Sequence, residues 1–186
     1  MKEKTVVVIA GLPTSGKSSL GKAIAQATGL HFVDIDEGPA HCVHPQEPDS
    51  QASEESRNRE RQRMTVAYTI LHAAVEANLL QGFSLIICAT YSRHTNQEFL
   101  EAAIRRGGGT IKVILCQYDD TPEEVERRIT KRVTTGAIGG CRSAEHYFAD
   151  KERYMGIKFP HATIMMDGDE EGLQKAVAET LHHIDS

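Results

Sequence analysis

The sequence has no apolar run approaching the ~20 consecutive residues that a membrane-spanning helix requires. Its N-terminal apolar stretch, Thr5 to Ala10, is six residues long, so neither a membrane partner nor a signal peptide is expected. Cysteine is scarce: Cys42, Cys88, Cys116 and Cys141 lack paired spacing, and two of them fall in predicted strands. That pattern suits a reducing cytoplasm, the expected location, better than a disulfide framework. Excess positive charge is missing as well. The net charge of −5 argues against binding nucleic acid through a broad basic surface, though one short basic groove stays open. No internal repeat or low-complexity tract is present. The remaining composition, 40% hydrophobic and 25% charged over 186 residues, suits one compact domain, residues 1–186, with a substantial core.

The most informative stretch is "GLPTSGKSS", residues 11–19, directly after "TVVVIA". It fits G-x-x-x-x-G-K-[ST], with Gly11, Gly16, Lys17 and Ser18 at the fixed positions. Glycines let successive backbone N–H groups turn inward toward phosphate oxygens. Lys17 can reach β- and γ-phosphates, and the Ser18 hydroxyl can sit on magnesium. A strand before the loop and a helix after it, near Ser18–Ala27, give the expected context, with the helix dipole adding attraction for an anion. The candidate nucleotide-binding set is Gly11, Pro13, Thr14, Ser15, Gly16, Lys17, Ser18 and Ser19. ATP and Mg²⁺ are the implied cofactors.

Strands and helices alternate to the end, as in an α/β fold around a parallel sheet. Short apolar runs predict buried strands at Thr5–Ala10, His31–Ile35, Phe83–Ala89, Thr110–Gln117 and His161–Met166. Thr95 with Glu98 reads as a capping box that opens a helix to Arg106, ended by Gly107, Gly108 and Gly109. Thr121, Pro122 and Glu124 mark another helix start, and Asp169 caps a last helix to about His183. Between Glu37 and Ala52 the chain has three prolines and no periodicity, so a long functional loop is expected. A long helix near Ser53–Leu80 follows, with Met64, Ala67, Leu71, Ala74 and Asn78 down one face.

A phosphate loop alone does not separate a kinase from a switch GTPase or a motor ATPase. No [NT]-K-x-D guanine-reading motif occurs, which lowers the GTPase reading. "FVDIDE" places Asp34 and Asp36 at the end of the second strand, where residues two apart share a face and where ligands of open α/β sheets bind. Two carboxylates there can hold water on magnesium and take a proton from an alcohol; a plain polar turn is the competing reading. Arg128 and Arg132, four apart, share a helical face, and a glycine-rich stretch containing Arg142 follows. These arginines can neutralise a moving phosphoryl group, and Gly136, Gly139 and Gly140 would let the segment close as a lid, about 133–155. A solvated helix with a loose loop is the alternative.

With these residues in view, the chain resembles the P-loop small-molecule and nucleotide kinases, the group that holds gluconate, shikimate, adenylylsulfate and adenylate kinases and predicted bacterial AAA-type kinases. The D-x-D after strand two, "IICATYSRHTNQEFL", "EEVERRITKR" and "MMDGDEEGL" carry the likeness over nearly the whole chain. It implies a three-layer α/β/α fold, strand order 2-3-1-4-5, an acceptor-side loop and helix at about 37–80, and adenine contact by Asp167 and Gly168. The implied activity is transfer of the ATP γ-phosphate to a hydroxyl of a small metabolite. Lys17, Asp34, Asp36, Arg128, Arg132 and Arg142 would be the catalytic residues, and Ser18 and Asp34 would hold Mg²⁺, directly or through water.

Departures matter too. Many relatives have an acid where this chain has Cys88, which shifts the magnesium-water role to Asp34. The 37–52 loop lacks gluconate-kinase substrate residues. Glu37 and Pro39 stand where a polynucleotide kinase would place arginine. A kinase for nucleotide or polynucleotide 5′-hydroxyls, and a regulator that holds ATP without transferring phosphate, remain as alternatives. Arg57, Arg59, Arg61 and Arg63 alternate with glutamates as a salt-bridged helix face, or as a clamp if the acceptor is anionic. Tyr91 and Arg93 are placed at the ligand edge, and Met165 and Met166 in the core.

Overall fold

The computed structural model describes residues 3–43, 54–134, 141 and 143–185. Five parallel strands run in the order β2-β3-β1-β4-β5. They are β1 Thr5–Ala10, β2 His31–Asp34, β3 Leu85–Cys88, β4 Thr110–Gln117 and β5 His161–Met165. The helices are α1 Lys17–Thr28, α2 Glu54–Leu80, α3 His94–Gly107, α4 Pro122–Thr134, α5 Ala144–Glu152 and α6 Glu170–Asp185. No helix among the described residues is long and apolar enough to cross a membrane.

β1 has almost no polar residue because both of its faces are covered. Val6, Val8 and Ala10 face α2 and α3 together with Leu85 and Ile87. Val7 and Ile9 face the opposite layer, where α1 and α6 supply Leu20, Ile24 and Ala176. Period-two alternation thus assigns one strand to two apolar clusters. A smaller third cluster joins Tyr118 to Val125 and Ile129 of α4 and Tyr147 of α5.

Several local expectations shift for identifiable reasons. On α2 the stripe buried against the sheet is Ala67, Tyr68, Leu71, Val75 and Leu79, while Ala74 and Asn78 are only half-buried. The 3.6-residue repeat rotates the apolar face toward the larger side chains. β3 starts at Leu85, because Gly82 turns with φ 88° and the Phe83 N–H returns to the Asn78 carbonyl to close α2. Phe83 is left exposed. Thr95 lies inside α3; Arg93 takes the cap position and makes no side-chain capping bond. Gly108, with φ 66°, ends that helix. By contrast, Pro122 opens α4, and Asp169 Oδ1 accepts from the Gly172 N–H at 2.7 Å. α5, within the segment expected as a lid, begins at a Ser143 cap whose hydroxyl accepts from the His146 N–H at 3.2 Å.

The exit of β3 is locked from below. Tyr91 adopts φ 50°, a costly conformation for a bulky residue, and its N–H donates to the Tyr68 hydroxyl at 3.1 Å. Its ring stacks on His72 and is buried, so Tyr91 belongs to the core and not to the ligand edge. Burial pushes the His72 imidazole down to about 4, which keeps it neutral at pH 7. Met166 is buried as expected, whereas Met165, on the other side of the strand, is exposed.

Leu71 is wholly buried between α2 and the sheet. Leu71→Ala is expected to destabilise the fold by about 2–5 kcal/mol; urea denaturation reads this as a lower midpoint at unchanged slope.

Candidate active site

The loop between β1 and α1 depends on positions where a side chain would not fit. Gly11 has φ 144°, and a Cβ there would collide with the Cys116 carbonyl of β4. Gly16, with φ 90°, is the residue before α1, so the loop ends on the positive pole of a helix whose first turn contains no acid. Thr14 also takes a left-handed conformation, φ 65°, and its hydroxyl is bonded to the Tyr118 hydroxyl at 2.8 Å. Lys17 Nζ donates to the Leu12 carbonyl at 2.7 Å, so its charge closes its own loop. Pro13 is half-buried on this curl, Ser15 is buried inside it, and Ser19 is exposed on α1.

The two acids meet through a turn and not through strand alternation. β2 ends at Asp34, and Asp36 lies in the bend that follows. Asp34 Oδ1 accepts from the Asp36 N–H at 2.9 Å, and Asp34 Oδ2 accepts from the Ser18 hydroxyl at 2.5 Å. Asp34 therefore ties the start of α1 to the end of β2. Burial, and then the neighbouring Asp34 charge, raise the Asp36 carboxyl above its usual range; Lys17, Arg132 and Arg63 oppose that rise. Three cations thus converge on one half-buried carboxyl group. Cys88, paired in register with Asp34, is fully buried. Burial and the Asp34 charge push its thiol well up, so it stays protonated.

The arginines divide. Arg128 is fastened: Nε donates to Glu124 at 2.6 Å, Nη2 to the Met166 carbonyl at 2.7 Å, and Nη1 to the Thr14 carbonyl at 3.5 Å. Its guanidinium lies 4.1 Å from the Tyr118 ring centre. One side chain therefore joins α4, the phosphate loop and the loop after β5. Arg132, one turn along, is half-buried and contributes its charge to Asp36. Arg142, Gly136, Gly139 and Gly140 lie outside the described residues.

Arg63, on α2, donates to Glu60 at 2.8 Å and to the Ala40 carbonyl at 3.1 Å, and its side chain is 15% exposed. It differs from Arg59, whose side chain is 67% exposed in a loose pair with Glu55. Arg93 is exposed at the start of α3. Asp167 borders a cleft of about 460 Å³ that also includes Asp119, Thr121, Glu124, Arg127 and Arg128, and Gly168 is the next residue along the chain. Gly168 has φ 89°, and a Cβ there would stand 3.1 Å from Arg128 Nη2. Tyr118, which braces both Thr14 and Arg128, is absent from the sequence-derived site. Its position just after the strand, in "CQYDD", is the local signal for it.

Together these features define a P-loop of the nucleotide-binding type on a kinase-like α/β sheet. The AAA domain family model matches residues 6–146, and the chain belongs to that family. A segment of 31 residues is 58% identical to a shikimate kinase of Chlamydia pneumoniae; it covers 17% of this chain and 18% of that protein. Among solved structures, a candidate kinase of Chloroflexus aurantiacus superposes with TM-score 0.75 at 19% identity, over 100% of this chain and 98% of its own. A gluconokinase of Sinorhizobium meliloti gives 0.61 at 16% identity over 100% and 94%. A shikimate kinase of Bacteroides thetaiotaomicron gives 0.62 at 14% identity over 98% and 99%. The fold is that of the P-loop kinases, with the strand order implied by the resemblance.

Arg128→Lys keeps the charge but loses the planar fork and the stack on Tyr118. It is expected to cost about 1–3 kcal/mol, read in urea, and to speed amide exchange in the 11–16 loop. An unchanged midpoint would remove Arg128 as the brace between these three segments.

Proposed function

We propose that this protein is an ATP-dependent phosphotransferase that moves the γ-phosphoryl group onto a hydroxyl of a small molecule, with Mg²⁺ as cofactor. The observation that carries the reading is the Ser18 hydroxyl held 2.5 Å from Asp34, with Asp36 next in line under the charges of Lys17, Arg132 and Arg63. A hydroxyl and a carboxylate side by side are hard oxygen donors, the type Mg²⁺ prefers when phosphates complete its shell. Ser18 and Asp34 would hold that ion, which would neutralise charge on the phosphates.

In this reading Lys17 leaves the Leu12 carbonyl to meet the β- and γ-phosphates, while the loop N–H groups and the α1 terminus hold the remaining oxygens. Asp36 orients the acceptor hydroxyl and receives its proton as the oxygen–phosphorus bond forms and the bond to the ADP oxygen breaks. Arg132 and Arg142 stabilise the transferring group, and Arg128 holds the nucleotide-side walls together. Adenine rests in the cleft by Asp167 and Gly168. The gluconokinase and shikimate kinase likenesses support a compact hydroxylated acceptor. The buried free thiols of Cys88, Cys116 and Cys141 fit a cytoplasmic location.

The test is ADP release against a panel of sugars, polyols, nucleosides and nucleotides. Lys17→Ala is expected to abolish acceptor-stimulated release, and a silent panel with wild-type protein would defeat the proposal. Asp36→Asn is expected to lower kcat by about 10²–10⁴-fold. A base must be ionised to act, so wild-type kcat/KM is expected to fall as pH drops through the raised Asp36 value, and the Asn variant to lose that limb. A carboxyl held above its unfolded value costs stability once pH exceeds that value. Asp36→Asn is therefore expected to keep or raise Tm at neutral pH while activity collapses.

A further inference from the structure

α5 and β5 both adjoin β4, one through Asp120 and the other by strand pairing, yet the chain between them does not take the short way. It runs first to the exit of β3, on the far side of β1 in the sheet, and only then returns to β5. There the Met155 N–H donates to the Ser92 carbonyl at 3.1 Å, and His94 Nε2 donates to the Met155 carbonyl at 3.0 Å. Ile157 and Phe159 pack on the apolar cluster that α2 and α3 form with the sheet. The centre of this anchorage is Gln97 of α3, which is 1% exposed. Its Nε2 donates to the Gly156 carbonyl at 2.7 Å and to the Tyr91 carbonyl at 3.1 Å, while Oε1 accepts from the Lys158 N–H at 2.8 Å. Two carbonyls require donors and one N–H requires an acceptor, so the amide fits in a single orientation. Tyr91 is the strained residue after β3, and side chains take both of its backbone groups, Tyr68 the N–H and Gln97 the carbonyl. Such strain persists only where the surroundings over-determine it, and it concentrates at functional sites. At its other end α5 is held on the nucleotide side. Tyr147 and Lys151 both bond Asp120, the Tyr147 ring lies 6.0 Å from the Tyr118 ring, and Tyr118 holds Thr14 of the phosphate loop.

We propose that Gln97 is a positioning residue that couples the phosphate loop to the exit of β3 by way of α5. Order imposed on the loop by a nucleotide would pass from Thr14 to Tyr118 and α5, then along the chain to Gly156, and Gln97 would deliver it to Tyr91. β3 pairs with β2, and Cys88 stands in register with Asp34. Nucleotide binding would therefore stiffen the side of the cleft next to the two acids before an acceptor arrives. The inference rests on the nucleotide-binding part of the proposed function and on no particular acceptor.

Amide exchange of the full chain, free and with the ATP analogue AMPPNP and Mg²⁺, tests this. In the wild type the nucleotide is expected to slow exchange in the 11–16 loop and also, by at least about threefold, at Tyr91, Met155 and Lys158. Gln97→Met has similar length without the amide; it is expected to keep the slowing in the loop and to lose it at Tyr91. A merely structural bond would behave differently, since its loss would quicken exchange equally with and without nucleotide. Gly156 has φ 78° and open space where a Cβ would stand. Gly156→Val, unfavourable at that φ yet free of clashes, breaks the same link from the other partner and serves where Gln97→Met does not fold. Slowing at Tyr91 retained in either folded variant, or missing from the wild type while the loop responds, overturns the proposal. A wild-type loop that does not respond defeats the nucleotide reading itself, and this inference with it.

Discussion

The hydrogen bond from Ser18 to Asp34 is the contact on which the arrangement of the cleft depends. It spans the start of α1 and the end of β2, two segments separated by a complete helix, and brings the phosphate loop against the acidic turn. Its counterpart is the Asp36 N–H to the other Asp34 oxygen, which sets the next turn. One carboxylate thus organises both sides of a junction. Because β1 lies between β3 and β4, neither side can shift without disturbing strands buried on both faces.

Across the sheet, a second brace works by a different means. Arg128 collects two backbone carbonyls and a carboxylate, and stacks on Tyr118. Tyr118 in turn holds the Thr14 hydroxyl. The phosphate loop is therefore pinned from β2 through an acid and from β4 through an aromatic ring. Such double support holds the loop in one conformation.

Much of this was legible in the sequence because the responsible interactions are short in range. Gly11, Gly16 and Lys17 follow from a motif with fixed spacing, and β1 and β4 from unbroken apolar runs that only a doubly covered strand tolerates. Pro122 and Asp169 signalled helix starts through their own backbone chemistry. Thr95 and Glu98 have capping-box spacing, yet α3 begins one residue earlier, at His94, which puts Arg93 at the cap position. Along α2 the expected stripe holds at Ala67 and Leu71, but beyond them packing against β1 and β3 selects Val75 and Leu79 in place of Ala74 and Asn78. The spacing of Asp34 and Asp36 predicts partners on one strand face, whereas a turn after β2 joins them. Tyr118 and the buried place of Tyr91 arise from contacts tens of residues apart and left little local trace.

Cys88 has a consequence of its own. At the end of β3 this chain has a thiol that is fully covered and held protonated. A sulfur in that state offers almost no thiolate to peroxides or alkylating reagents. The end of β3 is thereby chemically quiet, while Cys42, exposed in the segment after β2, is the sulfur that reagents meet first. A buried neutral sulfur beside Asp34 is thus shielded twice, by packing and by its retained proton.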